Sequence, residues 1–212
     1  MNTLLKISFV LLLTFYPFMS GWAQVEDVRA IQERYNTIKE IQGDFIQKSY
    51  IKDLEETQEF KGQFSIKLPS KMRWAYTEPR DEEVIINDTT IWIYKIVEKQ
   101  AIKSKFNADT YGQAPIALLA GFGNLEKDFV VSKVESDVLQ LQPKQAMGAI
   151  KTLFVKLSKR DFPISSLTLI DVYGNEITIV VNSIKVNKDI EDSFFDFTPP
   201  QNVEVYEFGN QP

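Results

Sequence analysis

Acidic side chains are the first candidates for chemistry in this sequence, and two groups of them occur at residues 53–56 and 81–83. Two carboxylates that face each other across a cleft can serve as acid and base in a glycosidase. Both groups fall between predicted strands and lie beside lysine or arginine, which is typical of solvated turns. A further acid, Asp171, precedes a predicted hairpin turn at Gly174 and Asn175, where its carboxylate can accept backbone N–H groups. We therefore interpret the two groups as solvated turns and Asp171 as a structural residue.

Neither histidine nor cysteine occurs among the 212 residues. Their absence excludes a Ser-His-Asp triad, a histidine general base, a thiolate nucleophile, disulfide bonds and metal sites built on imidazole or thiolate. The net charge of −5 offers no electrostatic footprint for nucleic acid and no basic patch for anionic lipid headgroups. We therefore expect no catalytic residue, no metal, no cofactor and no nucleic-acid partner.

The first residues are typical of an export signal. A positive charge precedes an apolar run at residues 7–18, and Gly21 and Ala23 have the small side chains that a signal peptidase requires. The apolar run is shorter than the roughly 20 residues that span a bilayer. We predict that residues 1–23 form a cleaved signal peptide and that residues 24–212 form a single exported domain.

Hydrophobic periodicity predicts a helix at the start of this domain and strands after it. Apolar residues recur at steps of three and four over residues 25–41, and Gly43 is expected to end the helix. Alternation predicts strands at residues 44–51, 57–68, 71–78, 84–88 and 90–102, and five more between residues 128 and 187. Between these two sets, the stretch "APIALLAGF" predicts a short apolar helix that begins near Pro115. Such a meander must close into a barrel or be covered by helices.

Three of these strands carry large apolar faces. In the second and third strands the apolar positions are Phe64, Ile66, Leu68, Met72, Trp74 and Tyr76. Such a face is either an ordinary core or a wall that holds an apolar ligand. The fifth predicted strand is apolar on both sides, with Trp92 and Tyr94 on one and Ile91, Ile93 and Val97 on the other. Burial by the protein itself and occupation by a ligand both remain open there.

Seven motifs occur in one order and register along the domain. They are FIQK (45–48), FKGQFSIKLPSKMRWAYTEP (60–79), IWIYKIVEKQA (91–101), APIALLAG (114–121), LQLQPK (139–144), LTLIDVYGN (167–175) and FDFTPPQNVEV (195–205). Together they resemble the outer-membrane lipoprotein carrier family, the LolA-like proteins. The resemblance implies a mainly β fold with covering α-helices, in which an incomplete, half-open antiparallel barrel and a helical lid enclose an apolar cavity.

The resemblance also implies a function in the periplasm. Such a soluble, monomeric carrier takes the acyl chains of lipoproteins from an ATP-driven extractor in the inner membrane. It delivers them to an acceptor at the outer membrane, without covalent chemistry. Two alternatives stay open: a carrier or sensor of another lipid, such as a glycolipid or pigment-like lipid, and a carboxylate enzyme such as a glycosidase, which the lack of paired inward-facing acids disfavours.

Matched to the family's register, the large apolar faces look into the cavity, and we call this side of the sheet the inward face. The implied cavity lining comprises Phe64, Ile66, Leu68, Met72, Trp74, Tyr76, Ile85, Leu167 and Leu169. The implied lid comprises Pro115, Ile116, Leu118 and Leu119. The family commonly has an arginine at the position of Leu68, before Pro69, and this arginine latches the lid. Arg73 is expected on the opposite face from Trp74, so it is a poor substitute.

Overall fold

A computed structural model describes residues 20–106 and 125–208, with side chains from Val28 onward. Within these ranges twelve strands form one sheet. In chain order they are β1 (Glu40–Ile51), β2 (Glu56–Lys67), β3 (Lys71–Glu78), β4 (Glu82–Asn87), β5 (Thr90–Lys95), β6 (Gln100–Lys105), β7 (Phe129–Glu135), β8 (Val138–Pro143), β9 (Ile150–Leu157), β10 (Ile164–Asp171), β11 (Glu176–Val186) and β12 (Glu204–Phe208).

Four helical segments accompany the sheet in the described ranges. They are the α-helices α1 (Ser20–Asn36) and α2 (Leu125–Asp128) and the 3₁₀ helices Lys52–Leu54 and Asp192–Phe195. None of the helices in this part of the chain is long and apolar enough to cross a membrane. The helix predicted near Pro115 lies outside the described residues.

Two runs of consecutive antiparallel strands, β1–β6 and β7–β11, are joined in one sheet by the pairing of β1 with β11, and β12 is added beside β6. Across the sheet they follow the order β12-β6-β5-β4-β3-β2-β1-β11-β10-β9-β8-β7. Each neighbouring pair is antiparallel except β12 and β6, which run parallel. Strands β12 and β7 form the two edges of this sheet, which is therefore not closed. The predicted fold class, a mainly antiparallel incomplete barrel with helices, is confirmed.

The first helix ends earlier than the sequence predicts. Helix α1 ends at Asn36 and β1 begins at Glu40, so Ile41 and Gly43 lie in a strand. Ile41 is fully buried there, in a pair with β11. The prediction is wrong because Ile38 and Ile41 are three residues apart, a step that suits a helix. Ile38 is in fact buried in the connection after α1, and Ile41 is buried in β1.

The fifth predicted strand is in fact two. Residues 90–102 divide between β5 and β6, which pair as a hairpin around a turn at residues 96–99. Val97 lies in this turn with 75% of its surface exposed, so it belongs to neither face. The turn contains no glycine, proline or asparagine that would have announced it, and Lys99 adopts the positive φ of 53° that those residues usually supply.

The main hydrophobic core lies between the inward face of the sheet and the helices. Val28 and Tyr35 of α1 are buried in it. The backbone N–H of Leu125 donates to the side-chain oxygen of Gln32 at 3.2 Å, which ties the start of α2 to α1. Tyr35 also contacts Phe162, with the ring centroids 6.2 Å apart. Residues of α1 and of β8, β9 and β10 also line one small cavity, so α1 lies over this part of the sheet.

Candidate functional site: the inward face

The inward face is built by the register of β2 and β3. Phe64 pairs with Trp74, and Ile66 pairs with Met72, so these four side chains share one face. All four are buried, and Trp74 is completely so. Tyr76 continues the same face and is also buried. The large apolar set that the sequence predicts thus lies together, as a continuous aromatic and aliphatic surface.

Strand β1 adds an aromatic ring that completes a stack. The ring centroid of Phe45 lies 4.0 Å from that of Trp74, the ring centroid of Phe64 lies 5.2 Å from it, and both pairs are stacked. Gly62 pairs with Phe45 across the strands, and a Cβ at Gly62 would lie 1.9 Å from the carbonyl oxygen of Ala75 and 2.7 Å from the Phe45 ring. Only glycine therefore fits at this position.

The far half of the inward face is formed by β8, β9 and β10. Leu167 and Leu169 of β10 are buried in the same core as Trp74. A small apolar cavity of about 10 Å³ lies between α1 and these strands, lined among others by Ile31, Tyr35 and Leu141. A volume of this size holds about one water molecule. The inward face is thus filled by the protein's own side chains at this place.

Ile85 does not lie on the inward face. It pairs with Arg73 across β3 and β4, whereas Val84 pairs with Trp74. Side chains that pair in this way share a face, so Ile85 lies on the side that carries Arg73, which we call the outer face. The prediction that Ile85 lines the cavity is wrong. Three consecutive apolar residues from Val84 to Ile86 gave no alternation from which its side could be inferred.

Leu68 differs from the rest of the predicted lining. It follows β2, is half-buried and packs against the edge of the main core, and its backbone N–H donates to the carbonyl oxygen of Lys39 at 2.8 Å. The predicted lid residues Pro115, Ile116, Leu118 and Leu119 lie outside the described residues. A contact between Leu68 and a lid therefore stays a prediction.

The chain between β11 and β12, residues 187–203, covers the outer face, and we call it the C-terminal crossing. The ring of Phe197 lies 5.3 Å from those of both Trp92 and Tyr94. Phe195 is completely buried, and its 3₁₀ helix packs against β3 and β4. Of the two explanations left open for the strand that is apolar on both sides, burial by the protein itself accounts for the outer face.

Arg73 holds the C-terminal crossing to the sheet. Its guanidinium donates to Glu83 Oε2 at 3.1 and 2.7 Å and to the carbonyl oxygen of Phe194 at 3.1 Å. The guanidinium carbon also lies 5.3 Å from the centroid of the Phe194 ring. The prediction that Arg73 points away from Trp74 is confirmed.

A buried carboxylate fixes the start of the crossing. Glu40 Oε2 accepts the backbone N–H of Ile190 at 3.0 Å, and Glu40 Oε1 lies 3.2 Å from Nζ of Lys67. The same ammonium lies 2.7 Å from Asp192. Burial raises the pKa of Glu40, but the Ile190 N–H and the Lys67 ammonium outweigh this effect and hold the pKa below its usual value.

The two acidic groups that the sequence analysis singled out differ in their surroundings. Glu82 and Glu83 are half-buried at the start of β4, so the prediction of a solvated turn is wrong for them. As neighbours in a strand they point to opposite faces, and Glu82 lies 3.5 Å from Arg80. The group at residues 53–55 is exposed in a turn, as predicted.

Asp171 has the turn-stabilising role that the sequence predicts. Its Oδ1 accepts the backbone N–H groups of Tyr173 and Asn175, each at 2.9 Å, and its Oδ2 accepts the Asn175 side chain at 2.8 Å. Gly174 adopts a φ of +87°, which glycine alone tolerates well. Burial raises the pKa of Asp171, but these hydrogen bonds outweigh it and lower the pKa.

Two residues of the inward face were missed at the sequence level. Phe45 and Gln47 alternate on β1, and both are buried. Phe45 could have been inferred from Gly62, because a glycine inside a strand often marks the close approach of another group. Gln47 gave no such signal because an isolated glutamine in a strand is usually solvated. Its side-chain oxygen accepts the hydroxyl of Tyr76 at 3.1 Å.

The chain resembles a known protein family along most of its length. Residues 36–198 match the family model of the outer membrane lipoprotein carrier protein LolA. A protein of Halorhodospira halophila named outer-membrane lipoprotein carrier protein is 28% identical over 206 residues, which are 97% of this chain and 94% of that protein. A protein of the same name from Francisella tularensis subsp. novicida is 32% identical over 150 residues, covering 68% and 70% of the two chains.

A solved structure supports the fold independently of sequence. The crystal structure of an uncharacterized conserved protein from Thermus thermophilus superposes with a TM-score of 0.55 at 13% identity, over 86% of this chain and 99% of that one. At this identity the likeness shows the fold alone. The family match covers more than half of the chain, so this protein belongs to the outer membrane lipoprotein carrier protein LolA family.

Proposed function

We propose that this protein is a periplasmic carrier that binds the acyl chains of lipoproteins and delivers them to the outer membrane. An ATP-driven extractor in the inner membrane would load it, and an acceptor at the outer membrane would unload it. The protein would act as a carrier and not as a catalyst. Its family and the names of its relatives support this role.

The observation that carries the proposal is the aromatic stack on the inward face. Trp74 stacks with both Phe45 and Phe64 and is fully buried on a face that Ile66, Met72 and Tyr76 continue. Each acyl methylene that moves from water onto such a surface contributes about 0.8 kcal/mol. A few half-buried chains would therefore keep an acylated protein in water.

Loading would involve a rearrangement of the inward face. In the described residues this face is packed with buried side chains, Trp74 and Leu167 among them, and the cavity under α1 has room for about one water molecule. Cargo would then displace groups that now pack on the inward face. The protein's own side chains act as an internal substitute for cargo, which keeps the empty state from exposing a large apolar surface.

Export is part of the proposal. Cleavage after Ala23 would remove residues 1–23 and start the mature chain at Gln24. The mature carrier domain would then be residues 24–212. Sequencing of the N-terminus of the protein from a periplasmic extract tests this, and an intact Met1 in the membrane fraction would contradict it.

Identification of bound lipid tests the function. The full chain is expressed with its export signal in a Gram-negative host, purified from the periplasm without detergent, and its bound molecules are identified by mass spectrometry. Acylated lipoproteins or their acylated N-terminal peptides are the expected finding. A glycolipid or pigment in their place would favour the alternative carrier, and an empty protein that also fails to take up a purified lipoprotein would overturn the proposal.

A pair of variants ties the result to the inward face. Leu68→Glu places a charge at the half-buried edge of the main core and should strongly reduce lipoprotein uptake, because a carboxylate is poorly solvated beside acyl chains. Leu54→Glu makes the same change at a residue with 61% of its surface exposed, in the β1–β2 turn, and should leave uptake unchanged. Equal uptake by both variants would show that cargo does not lie against this face.

A further inference from the structure

The indole N–H of Trp74 is a buried donor without an acceptor. The side chain has no exposed surface, and in the described part of the chain Trp74 Nε1 is the one buried side-chain nitrogen or oxygen that makes no hydrogen bond. Native proteins satisfy the great majority of such groups. An indole can only donate, so this atom can be satisfied only by an acceptor that comes to it.

The orphan donor belongs to a short row of polar groups in the apolar wall. The Tyr76 hydroxyl donates to Gln47 Oε1 at 3.1 Å, and Gln47 Nε2 donates to the Ser49 hydroxyl at 3.0 Å. Tyr76 and Gln47 are both buried. Burial raises the pKa of the Tyr76 hydroxyl, and the nearby Arg80 guanidinium moderates the rise.

Arg80 marks where this row meets the solvent. Its guanidinium carbon lies 4.2 Å from the centroid of the Tyr76 ring and 4.8 Å from that of Phe60. Arg80 is exposed and Trp74 is fully buried. The polar row therefore leads from a charged rim to a donor within the aromatic stack.

We propose that Trp74 Nε1–H donates a hydrogen bond to a carbonyl oxygen of the cargo's acyl group, an ester or an amide. This inference rests on the proposed function, since it assumes that acyl chains occupy the inward face. Along an acyl chain the carbonyl is the one strong acceptor, and it lies at the end nearest the polar head. A carbonyl at Trp74 would place the head toward the Tyr76 and Arg80 side and the hydrocarbon along the aliphatic remainder of the wall.

The contact gives the carrier a preference for an ester-linked lipid over an ether-linked lipid of the same chain length, because only the ester has a carbonyl oxygen. In the empty protein the donor is unsatisfied, and a carbonyl relieves this on loading, whereas a hydrocarbon does not. An ether oxygen is a weaker acceptor than a carbonyl oxygen. The difference between a satisfied and an unsatisfied buried donor corresponds to roughly tenfold in affinity.

A competition between two matched lipids tests the contact. Dioleoyl phosphatidylcholine and its di-O-octadecenyl ether analogue are mixed in equal amounts in one population of vesicles. The full mature chain is incubated with the vesicles and separated from them, and the two lipids bound to it are quantified by mass spectrometry. The wild type should carry about ten ester lipids for each ether lipid, and Trp74→Phe, which keeps an aromatic ring but lacks the N–H, should carry them about equally.

Trp92→Phe is the matched control, because Trp92 lies on the outer face against Phe197. It should retain the wild-type ratio. The ratio of ester to ether lipid bound to the wild type tests the contact even if Trp74→Phe does not fold. Bound lipid without an ester preference would overturn this inference and leave the proposed function standing. An ester preference that persists in folded Trp74→Phe would also overturn it. A wild type that takes up neither lipid would overturn the inference and count against the proposed function as well.

Discussion

The ring centroids of Phe45 in β1 and Trp74 in β3 lie 4.0 Å apart, and the strand between them, β2, has a glycine opposite Phe45. Gly62 lies between β1 and β3 at this point, and the Phe45 ring occupies the space that a Cβ at residue 62 would need. The aromatic stack of the inward face therefore depends on a glycine whose backbone conformation is otherwise that of an ordinary strand.

Gly62→Ala should destabilise the protein by about 1–3 kcal/mol or more, because the new methyl group would overlap the carbonyl oxygen of Ala75 and the Phe45 ring. Urea unfolding monitored by circular dichroism measures the loss. Gln63→Ala, at the exposed next residue, should change stability by no more than about 0.5 kcal/mol. Equal stability of the two variants would show that the Phe45 ring can move away from this position.

Phe195→Ala should lower the free energy of unfolding by about 3–5 kcal/mol, because the ring is completely buried on the outer face. Lipid uptake per folded molecule should stay at the wild-type level, since the inward face is untouched. Phe194→Ala removes a ring that is 44% exposed and contacts Arg73, and should have an effect of about 1 kcal/mol or less. A loss of uptake in folded Phe195→Ala would show that the two faces are coupled.

Acid should loosen the C-terminal crossing through Glu40. The pKa of Glu40 is lower in the folded protein than in the unfolded chain, so its contribution to stability is complete above the unfolded value of about 4.3. That contribution is lost as the pH falls through the folded pKa. Glu40→Gln should therefore reduce stability at pH 7 and flatten the decline below about pH 4.3.

Urea midpoints at several pH values between 3 and 7 measure this dependence. Glu59→Gln is the control, because Glu59 is exposed and 3.5 Å from Lys48. It should follow the wild-type curve. A Glu40→Gln curve with the same slope as that of the wild type would assign the acid sensitivity to other groups, such as Asp171.

Leu68→Arg should increase the hydrogen-exchange protection of residues 116–120 in the lipid-free protein. The resemblance to the family implies a latching arginine at this position, and a guanidinium supplies five N–H donors that a leucine lacks. Charge-assisted hydrogen bonds of about 1.5–3 kcal/mol would shift the lid toward its closed state by roughly ten- to hundredfold.

Leu54→Arg, in the exposed β1–β2 turn, controls for the added charge and should leave the exchange of residues 116–120 unchanged. Unchanged or lower protection in Leu68→Arg would show that residue 68 does not govern the lid. The variant should also release its cargo faster to an acceptor, which a transfer assay measures separately.

Sequence patterns predicted the strands best where the chain marks both ends and alternates cleanly. Strand β3 has the predicted bounds, Lys71 to Glu78, because prolines stand near each end and Trp74 alternates with Arg73. Prediction failed where alternation gave no information. The apolar run around Ile85 is buried on both faces. Which of its residues face inward could therefore be inferred only from the register with β3.

Other features depend on contacts between distant parts of the chain. Ile41 is three residues from Ile38, and its pairing with β2 and β11 makes it part of a strand. The cover of the outer face comes from residues more than 90 positions after Trp92, so no local pattern announces it. The orphan indole of Trp74 is likewise a property of its neighbours and not of its own position in the sequence.

Trp74 and Trp92 lie on opposite faces of the same sheet, each against phenylalanine rings. With Trp22 removed during export or replaced by phenylalanine, these two indoles are the chain's remaining tryptophans. Each face of the sheet then has its own intrinsic fluorophore. The emission of Trp92 reports detachment of the C-terminal crossing, and the emission of Trp74 reports events on the inward face. Single-tryptophan versions of the protein would thus separate cargo binding from unfolding in real time, without an attached dye.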